Sequence, residues 1–513
     1  MYPGTHAATR PEHPAIVMVD DGSVVTYGEL ERRSSMLASA LHGLGLRRGD
    51  VIAMLSDNHP ECLTIAWAAL RSGLYITALN HHLTPAEIAY ILDDSDARVL
   101  IAGAGVAELA ATVAEQAPAG VVRVAFGAAI AGYDDYEALL ATGTEPLAEM
   151  PRGADMLYSS GTTGRPKGVR GPLPEFAVDE PGDPVTMLIV TAFGLDADTR
   201  YLSPAPIYHA APLRWCASVH AAGGTVYLAH RFDAAQALAA IEEHAITHVQ
   251  MVPTMFVRLL QLPTEVRAAA DVSSLRMAVH AAAPCPPEVK QAMIEWWGPV
   301  LMEYYSSTEA NGLTMVDSAT WLARPGTVGR AVLGTLRICD DDGHELPPGE
   351  VGTVYFERDA RPFSYHKDAA KTDGATHPQH PTWTSVGDLG YVDDDGFLFL
   401  TDRKAFMIIS GGVNIYPQEI ENVLTLHPAL HDVAVLGVPD PEMGQRVKAF
   451  VQVREGVVAD DALAEELRGY VRERIAAFKV PREIAFVDRL PRTPTGKLVK
   501  RALLETVPAE GSR

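Results

Sequence analysis

Segments patterned as strands and segments patterned as helices take turns along most of this chain. That alternation restricts the folds open to it more than any other feature. AIVMV (15–19) is a short apolar run that reads as a strand. Thr26 and Glu29 then have the spacing of a capping box, and Leu30, Leu37, Leu41 and Leu44 continue at helical intervals. DVIAML (50–55) reads as the next strand. Thr84-Pro85-Ala86-Glu87 opens a further helix with proline in its first turn, and RVLIA (98–102) returns to a strand. A second series begins near Tyr201, with a helix about Ala234–His244, the strand THVQMV (247–252), a helix after Pro253, and the strand RMAVH (276–280). This rhythm builds a largely parallel sheet with helices on both faces. After about Glu350 the texture changes to short strands between Asp/Gly turns, as in YVDDDGFLFLTDRK (391–404). A smaller α/β unit ends the chain, with strands VAVLGV (433–438) and VKAFVQV (447–453), a helix through ALAEELRGYVRERIAAF (462–478) and a basic tail.

The 513 residues exceed the size at which single cores stop growing, roughly 250–300 residues, so two or more domains are expected. The hydrophobic fraction of 47% and charged fraction of 21% are those of a soluble globular protein. No apolar run reaches the roughly 18 residues of a membrane span, and the N-terminal MYPGTHAATRPEHP has neither the basic start nor the apolar core of a secretory signal. Cys62, Cys216, Cys285 and Cys339 are scattered and make neither a disulfide framework nor a CxxC metal site, which fits a cytoplasmic location. A net charge of −23 argues against nucleic acid as a partner. An enzyme working on anions would need positive charge gathered locally against that background.

The stretch DMLYSSGTTGRPKGV (155–169) is composed to touch phosphate. It is not a Walker A loop: counting from Gly161, the second glycine would fall on Pro166, and Gly168 rather than Ser or Thr follows Lys167. The glycines and prolines beyond it prevent a helix from starting. The expectation is a strand-like MLY followed by a long loop. Its backbone amides, the hydroxyls of Ser159, Ser160, Thr162 and Thr163, and the charge of Lys167 can wrap β- and γ-phosphates. Composition alone also fits a surface linker.

Three further clusters bear on the choice. In EYYSSTE (303–309), Tyr304 and Tyr305 can pack on a purine, Thr308 can bond phosphate, and Glu309 can hold Mg²⁺, a hard cation that prefers carboxylate oxygen; taken alone, the segment equally suits a strand-to-loop junction. TSVGDLGYVDDDGFLFLTDRK (384–404) offers Asp388 for paired ribose hydroxyls and Arg403 as a fork for phosphate or ribose oxygens, or else a plain hairpin. RLPRTPTGKLVKR (489–501) puts Lys497 after a Thr-Gly turn in a run that could also be a solvated basic face.

In order and spacing the four clusters resemble the adenylate-forming superfamily: acyl-CoA and aryl-CoA synthetases, peptide-synthetase adenylation domains and firefly luciferase. The resemblance covers essentially the whole chain, including LTPAEIAYIL (83–92), PIYHAAP (206–212), HAAAPCPPE (280–288) and SGGVNIYPQEIE (410–421). It implies an α/β fold with a large N-terminal domain (1–402) of parallel-sheet subdomains plus a small barrel-like β part. A small mobile C-terminal α+β domain (403–513) would follow. It further implies a two-step reaction, in which ATP and a carboxylate give an acyl-adenylate and pyrophosphate and the thiol of coenzyme A then displaces AMP. By resemblance, Lys497 bridges the carboxylate and the α-phosphate. Ser159, Ser160, Gly161, Thr162, Thr163, Gly164 and Lys167 hold the β- and γ-phosphates. Glu309 carries Mg²⁺ and Thr308 touches the α-phosphate. Asp388 and Arg403 fix the ribose, while Ala282, Ala283, Tyr304, Tyr305 and Ser306 border the adenine and acyl region. His209 gates the passage between the acyl and CoA channels, or is a packed core histidine, and Gly411 and Gly412 help admit CoA in a second pose.

Two positions depart from the family pattern. Ala405 stands at the hinge, where Asp or Lys is usual, and Ser306 stands where the phosphate motif has glycine. The segment PIYHAAPLRWC (206–216) lacks the aspartate that amino-acid-activating relatives carry there, which disfavours an amino acid. The small side chains of HAAAP suit an acyl chain or a flat aromatic acid, and Trp215 caps that pocket or belongs to the core. Similarity to bacterial fatty-acyl-CoA synthetases favours a medium- or long-chain fatty acid over an aryl acid. An acyl-AMP ligase serving a carrier protein, and a non-catalytic nucleotide- or acyl-binding protein, are the alternatives. A homodimer is compatible with the sequence.

Overall fold

Val51–Leu55 is buried at every position, so both its faces need cover and it takes neighbours on both sides. It runs parallel to Tyr75–Leu79 on one edge and to Ala97–Gly103 on the other, within an eight-stranded sheet. This computed structural model describes residues 2–159, 166–403, 406–410, 413–441, 443–492 and 498–504. The same sheet continues through Ala154–Ser159, then turns antiparallel at Lys167–Arg170 and ends on the two-residue strand Ser364–Tyr365. A second sheet of nine strands is parallel from Pro14–Met18 through to Leu301–Tyr305 and antiparallel at its margins.

The helices Tyr27–Gly43, Pro60–Leu70 and Ala210–Ala222 contribute to one core with both sheets, in which Ile16, Leu41, Ile76, Trp67, Trp215 and Val279 are buried together. A polar pin crosses it. The indole N–H of Trp67 donates to His220 Nδ1 at 3.1 Å, which leaves the other ring nitrogen of His220 to donate to the Ala15 carbonyl at 3.1 Å. Burial pushes the His220 pKa down to about 4, so the ring is neutral near pH 7 and can play both roles.

Local signals set many of the boundaries. Thr84 and Glu87 form a complete capping box at the start of the helix Pro85–Asp94, and the hydroxyl of Thr26 accepts from the Glu29 N–H at 3.2 Å. The expected helix over 462–478 is shorter, Asp461–Arg472 followed by a 3₁₀ turn at Ala477–Lys479. Lys167 is not on a loop: it opens a strand, with Ser159 opposite it in the ladder.

The change of texture after Glu350 corresponds to a five-stranded antiparallel sheet that includes Gly352–Glu357, Asp388–Val392 and Leu398–Arg403. The large N-terminal part ends there. The small C-terminal part is built on the long hairpin Leu430–Asp440 and Gly444–Val453, with Ile408–Ser410, Val413–Ile415 and Glu483–Phe486 completing its sheet. No helix among the described residues is long and apolar enough to cross a membrane.

Beneath the ends of two adjacent parallel strands lies an unusual core feature. Lys290 is fully buried, and its ammonium meets the carboxylate of Glu303 at 2.6 Å. Burial raises the Glu303 pKa, while the Lys290 charge and hydrogen bond pull it back. His280, opposite Glu303 in the ladder, is held neutral because burial and then the Lys290 charge push its pKa well down. Removing one member of a buried pair strands the other charge, whereas removing both does not. Lys290→Met is therefore expected to lower unfolding free energy by about 3–5 kcal/mol, and Lys290→Met/Glu303→Leu by much less. Urea denaturation checks this, and equal losses in the two variants would contradict it.

Candidate active site

The parallel strands Met277–His280 and Leu301–Tyr305 end side by side, with His280 level with Glu303, and the expected binding residues leave from those ends. In open α/β sheets that edge is where ligands bind. Ala282 is exposed with a left-handed backbone (φ 74°), and Ala283 is half-buried. Tyr304 and Tyr305 end the neighbouring strand.

The turn after Tyr305 is closed by its own side chains. Ser306 donates to the Gly312 carbonyl at 2.7 Å, Ser307 to Asn311 Oδ1 at 2.8 Å, and the amide of Ala310 bonds back to Ser307 with Ala310 at φ 50°. The hydroxyl at position 306, where glycine was expected, thus fastens the turn. A Cβ on Gly312 would lie 2.0 Å from the Phe356 ring, so only glycine lets the turn pack against the antiparallel sheet.

Glu309 emerges from this turn nearly buried, and the Tyr365 hydroxyl donates to its Oε1 at 2.8 Å. Glu309 accepts no other hydrogen bond among the described residues, and its carboxylate oxygens are of the kind a hard cation such as Mg²⁺ prefers. The ammonium of Lys167 sits 4.9 Å from the centre of the same tyrosine ring. Desolvation and then the Lys371 charge lower the Lys167 pKa, against the pull of Glu309 and Asp368. A cation and a carboxylate are thus held on either side of one aromatic residue. Tyr365 reaches this position because its two-residue strand pairs with the strand that Lys167 begins.

Asp388 is buried and accepts from the Tyr305 hydroxyl at 2.7 Å. It stands directly opposite Arg403 across the antiparallel ladder, so the two expected ribose residues share one rung. His209 caps the helix Ala210–Ala222 without bonding its N-terminal amides, half-buried with its ring 4.5 Å from Tyr208. The preceding loop is anchored by Asn58, which accepts from the Ile207 amide and donates to the carbonyls of Ala205 and Ala229. Trp215 is fully buried, stacked on Tyr201 at 5.6 Å and tilted against Phe193 at 4.6 Å, and so belongs to the core.

Ser160, Gly161, Thr162, Thr163, Gly164, Ala405, Gly411, Gly412 and Lys497 lie outside the described residues, and Ser159 and Arg403 are described by their backbones.

Three residues join the site without having been singled out. Tyr365 is one. The others are Arg214 and Asp155, whose fork and carboxylate meet at 2.7 and 3.2 Å, with Arg214 Nη2 also donating to the Thr308 carbonyl at 3.3 Å. Burial opposes the Arg214 charge, but Asp155 outweighs it and raises the pKa. An acidic group therefore does lie beside the PIYHAAPLRWC helix, supplied by another strand and already neutralised. A charge in each of two apolar runs, DMLY and APLRWC, was the available signal.

Comparison with known proteins places the whole chain beside well-described relatives. Residues 4–360 match the family model described as AMP-binding enzyme, and residues 419–497 match the AMP-binding enzyme C-terminal domain. The chain is 35% identical to a feruloyl-CoA synthase of Amycolatopsis sp., over 93% of each protein. It is 30% identical to a long-chain-fatty-acid–CoA ligase of Mycobacterium tuberculosis, over 97% of this chain and 96% of that one. The structure of o-succinylbenzoate CoA synthetase from Bacillus subtilis in complex with an acyl-adenylate intermediate superposes with a TM-score of 0.81 at 26% identity, covering 100% of this chain and 98% of the other.

Tyr365→Phe deletes the bond to a nearly buried carboxylate. It is expected to lower stability by about 1–3 kcal/mol, read from the denaturant midpoint. An unmoved midpoint would mean that Glu309 does not depend on that bond.

Proposed function

The chain belongs to the AMP-binding enzyme family, and on that premise we propose that it is an ATP-dependent, AMP-forming acid–CoA ligase acting on an aromatic carboxylic acid. A carboxylate oxygen attacks the α-phosphorus of ATP, and the bond to pyrophosphate breaks. The sulfur of CoA then attacks the acyl carbon, the bond to AMP breaks, and the thiol proton passes to solvent. The observation that carries the reading is the Lys167–Tyr365–Glu309 arrangement, in which cation and carboxylate are near one another yet unpaired.

Two anions must meet for the first step, so positive charge aimed at the reacting phosphate is the main requirement. Lys167 and the 159–164 segment bind the β- and γ-phosphates. Glu309 would hold Mg²⁺, which when bound supplies further positive charge to the phosphates. Thr308 contacts the α-phosphate, Asp388 and Arg403 bind the ribose, and Ala282, Ala283, Tyr304 and Tyr305 border adenine and acyl group. We place the domain boundary at 402/403. Lys497 is carried in by the small domain for adenylation, and a swing about Ala405 exchanges it for Gly411 and Gly412 when CoA enters past His209.

One packing feature and one relative support an aromatic acid. Tyr304, half-buried and assigned to the acyl region, is backed by the core rings of Phe193 and Trp215, with Phe193 6.1 Å from it. A feruloyl-CoA synthase among the relatives is in keeping with this. The fatty-acid reading favoured by sequence pattern has the mycobacterial ligase in its support.

A panel of fatty acids, benzoates and cinnamates, scored by CoA-dependent AMP release, is expected to peak on an aryl acid; a peak on long alkyl chains would replace that part of the proposal. Lys497→Ala is expected to slow adenylate formation by about 100-fold or more while sparing thioester formation from supplied acyl-AMP. Equal loss in both halves would contradict the division of labour. Glu309→Gln is expected to raise the Mg²⁺ concentration needed for half-maximal rate, and an unchanged requirement would remove its role.

A further inference from the structure

We propose that Arg214 is a positioning residue that fixes the Thr308–Glu309 peptide. The proposal rests on the ligase reading above and goes beyond it by adding a residue that touches neither phosphate nor metal. Arg214 projects from the helix that His209 caps. Its Nε and Nη2 reach the two oxygens of Asp155 at 3.2 and 2.7 Å, a two-point fork that sets the plane of the guanidinium. Nη2 has a second N–H, and in that plane it points at the Thr308 carbonyl, 3.3 Å away. Asp155 in turn belongs to the strand that runs into the glycine-rich segment. One side chain thus touches the helix behind His209, the strand leading to the phosphate segment, and the turn that bears Thr308 and Glu309.

The effect on the turn follows from peptide geometry. The unit from one Cα to the next is planar, so pinning the carbonyl of Thr308 also orients the amide of Glu309 and the bonds from which both side chains depart. Glu309 is then held at two ends, by Arg214 through its backbone and by Tyr365 through its carboxylate. A structural role alone gives little reason to keep these charges, since a well-packed apolar pair of similar volume is commonly as stable as an ion pair taken out of water. The side chains retain 23% and 20% exposure, and the geometry of the fork is what an apolar pair could not supply.

Arg214→Met/Asp155→Leu removes both charges together and leaves neither stranded. The double variant is expected to melt near the parent, with acid-dependent ATP–pyrophosphate exchange slowed by about 10- to 100-fold in kcat and the KM values for ATP and acid little changed. Amide hydrogen exchange at Ser307–Glu309 is expected to quicken, and Arg214→Lys, which keeps a donor, to recover part of the rate. Parental exchange kinetics in the double variant, or unchanged amide protection across 307–309, would overturn the proposal. If the parent enzyme itself exchanged pyrophosphate with no acid, the ligase reading would fall instead; the amide measurement would still decide the role of Arg214.

Discussion

A cation and a carboxylate placed in one site attract each other, and once in contact they offer little to a third charge. At about 4 Å the attraction is on the order of 4 kcal/mol near a protein surface, enough to close a direct pair. Tyr365 prevents that closure. Its hydroxyl occupies one oxygen of Glu309 and its ring face takes the Lys167 ammonium, so both charges are fixed and neither is cancelled. The arrangement depends on extending a parallel sheet by two antiparallel strands, since only the edge strand Ser364–Tyr365 brings this ring beside Lys167. What distinguishes this edge of the molecule is therefore a separation of charge held by backbone pairing.

Elsewhere the chain handles charge differently. Lys290 with Glu303 and Arg214 with Asp155 are closed pairs close to the same strand ends, and the Arg71–Glu31 and Arg152–Asp183 pairs serve the core between the sheets. Closed pairs of this kind contribute geometry more than stability. The open pair at Lys167 and Glu309 stands out against them.

Much of this was legible before any coordinates, and the reasons are local. Capping boxes and apolar periods are written within a few residues, so the helix at Pro85 and the strand at Val51 could be read directly. Asp388 and Arg403 were picked from one short segment that also suits a hairpin, but that they share a rung needed the ladder itself. Tyr365 was not legible because a two-residue strand has no period and its partners lie far away in sequence. Lys167 was read as loop because glycine and proline content does not register a strand held by its neighbours. Arg214 and Asp155 each looked like an isolated charge in an apolar run, and only folding made them a pair. The serine at 306 showed as a departure whose purpose, fastening the turn to Gly312, needed the turn itself.

The central claim is that a carboxylate oxygen of the acid becomes bonded to the phosphorus that leaves as AMP. Turnover of an oxygen-18-labelled acid with ATP and CoA, followed by mass spectrometry of the products, tests it most directly. One labelled oxygen in AMP, with none in pyrophosphate, is the predicted result. Label in inorganic phosphate, or AMP free of label while thioester accumulates, would contradict the account.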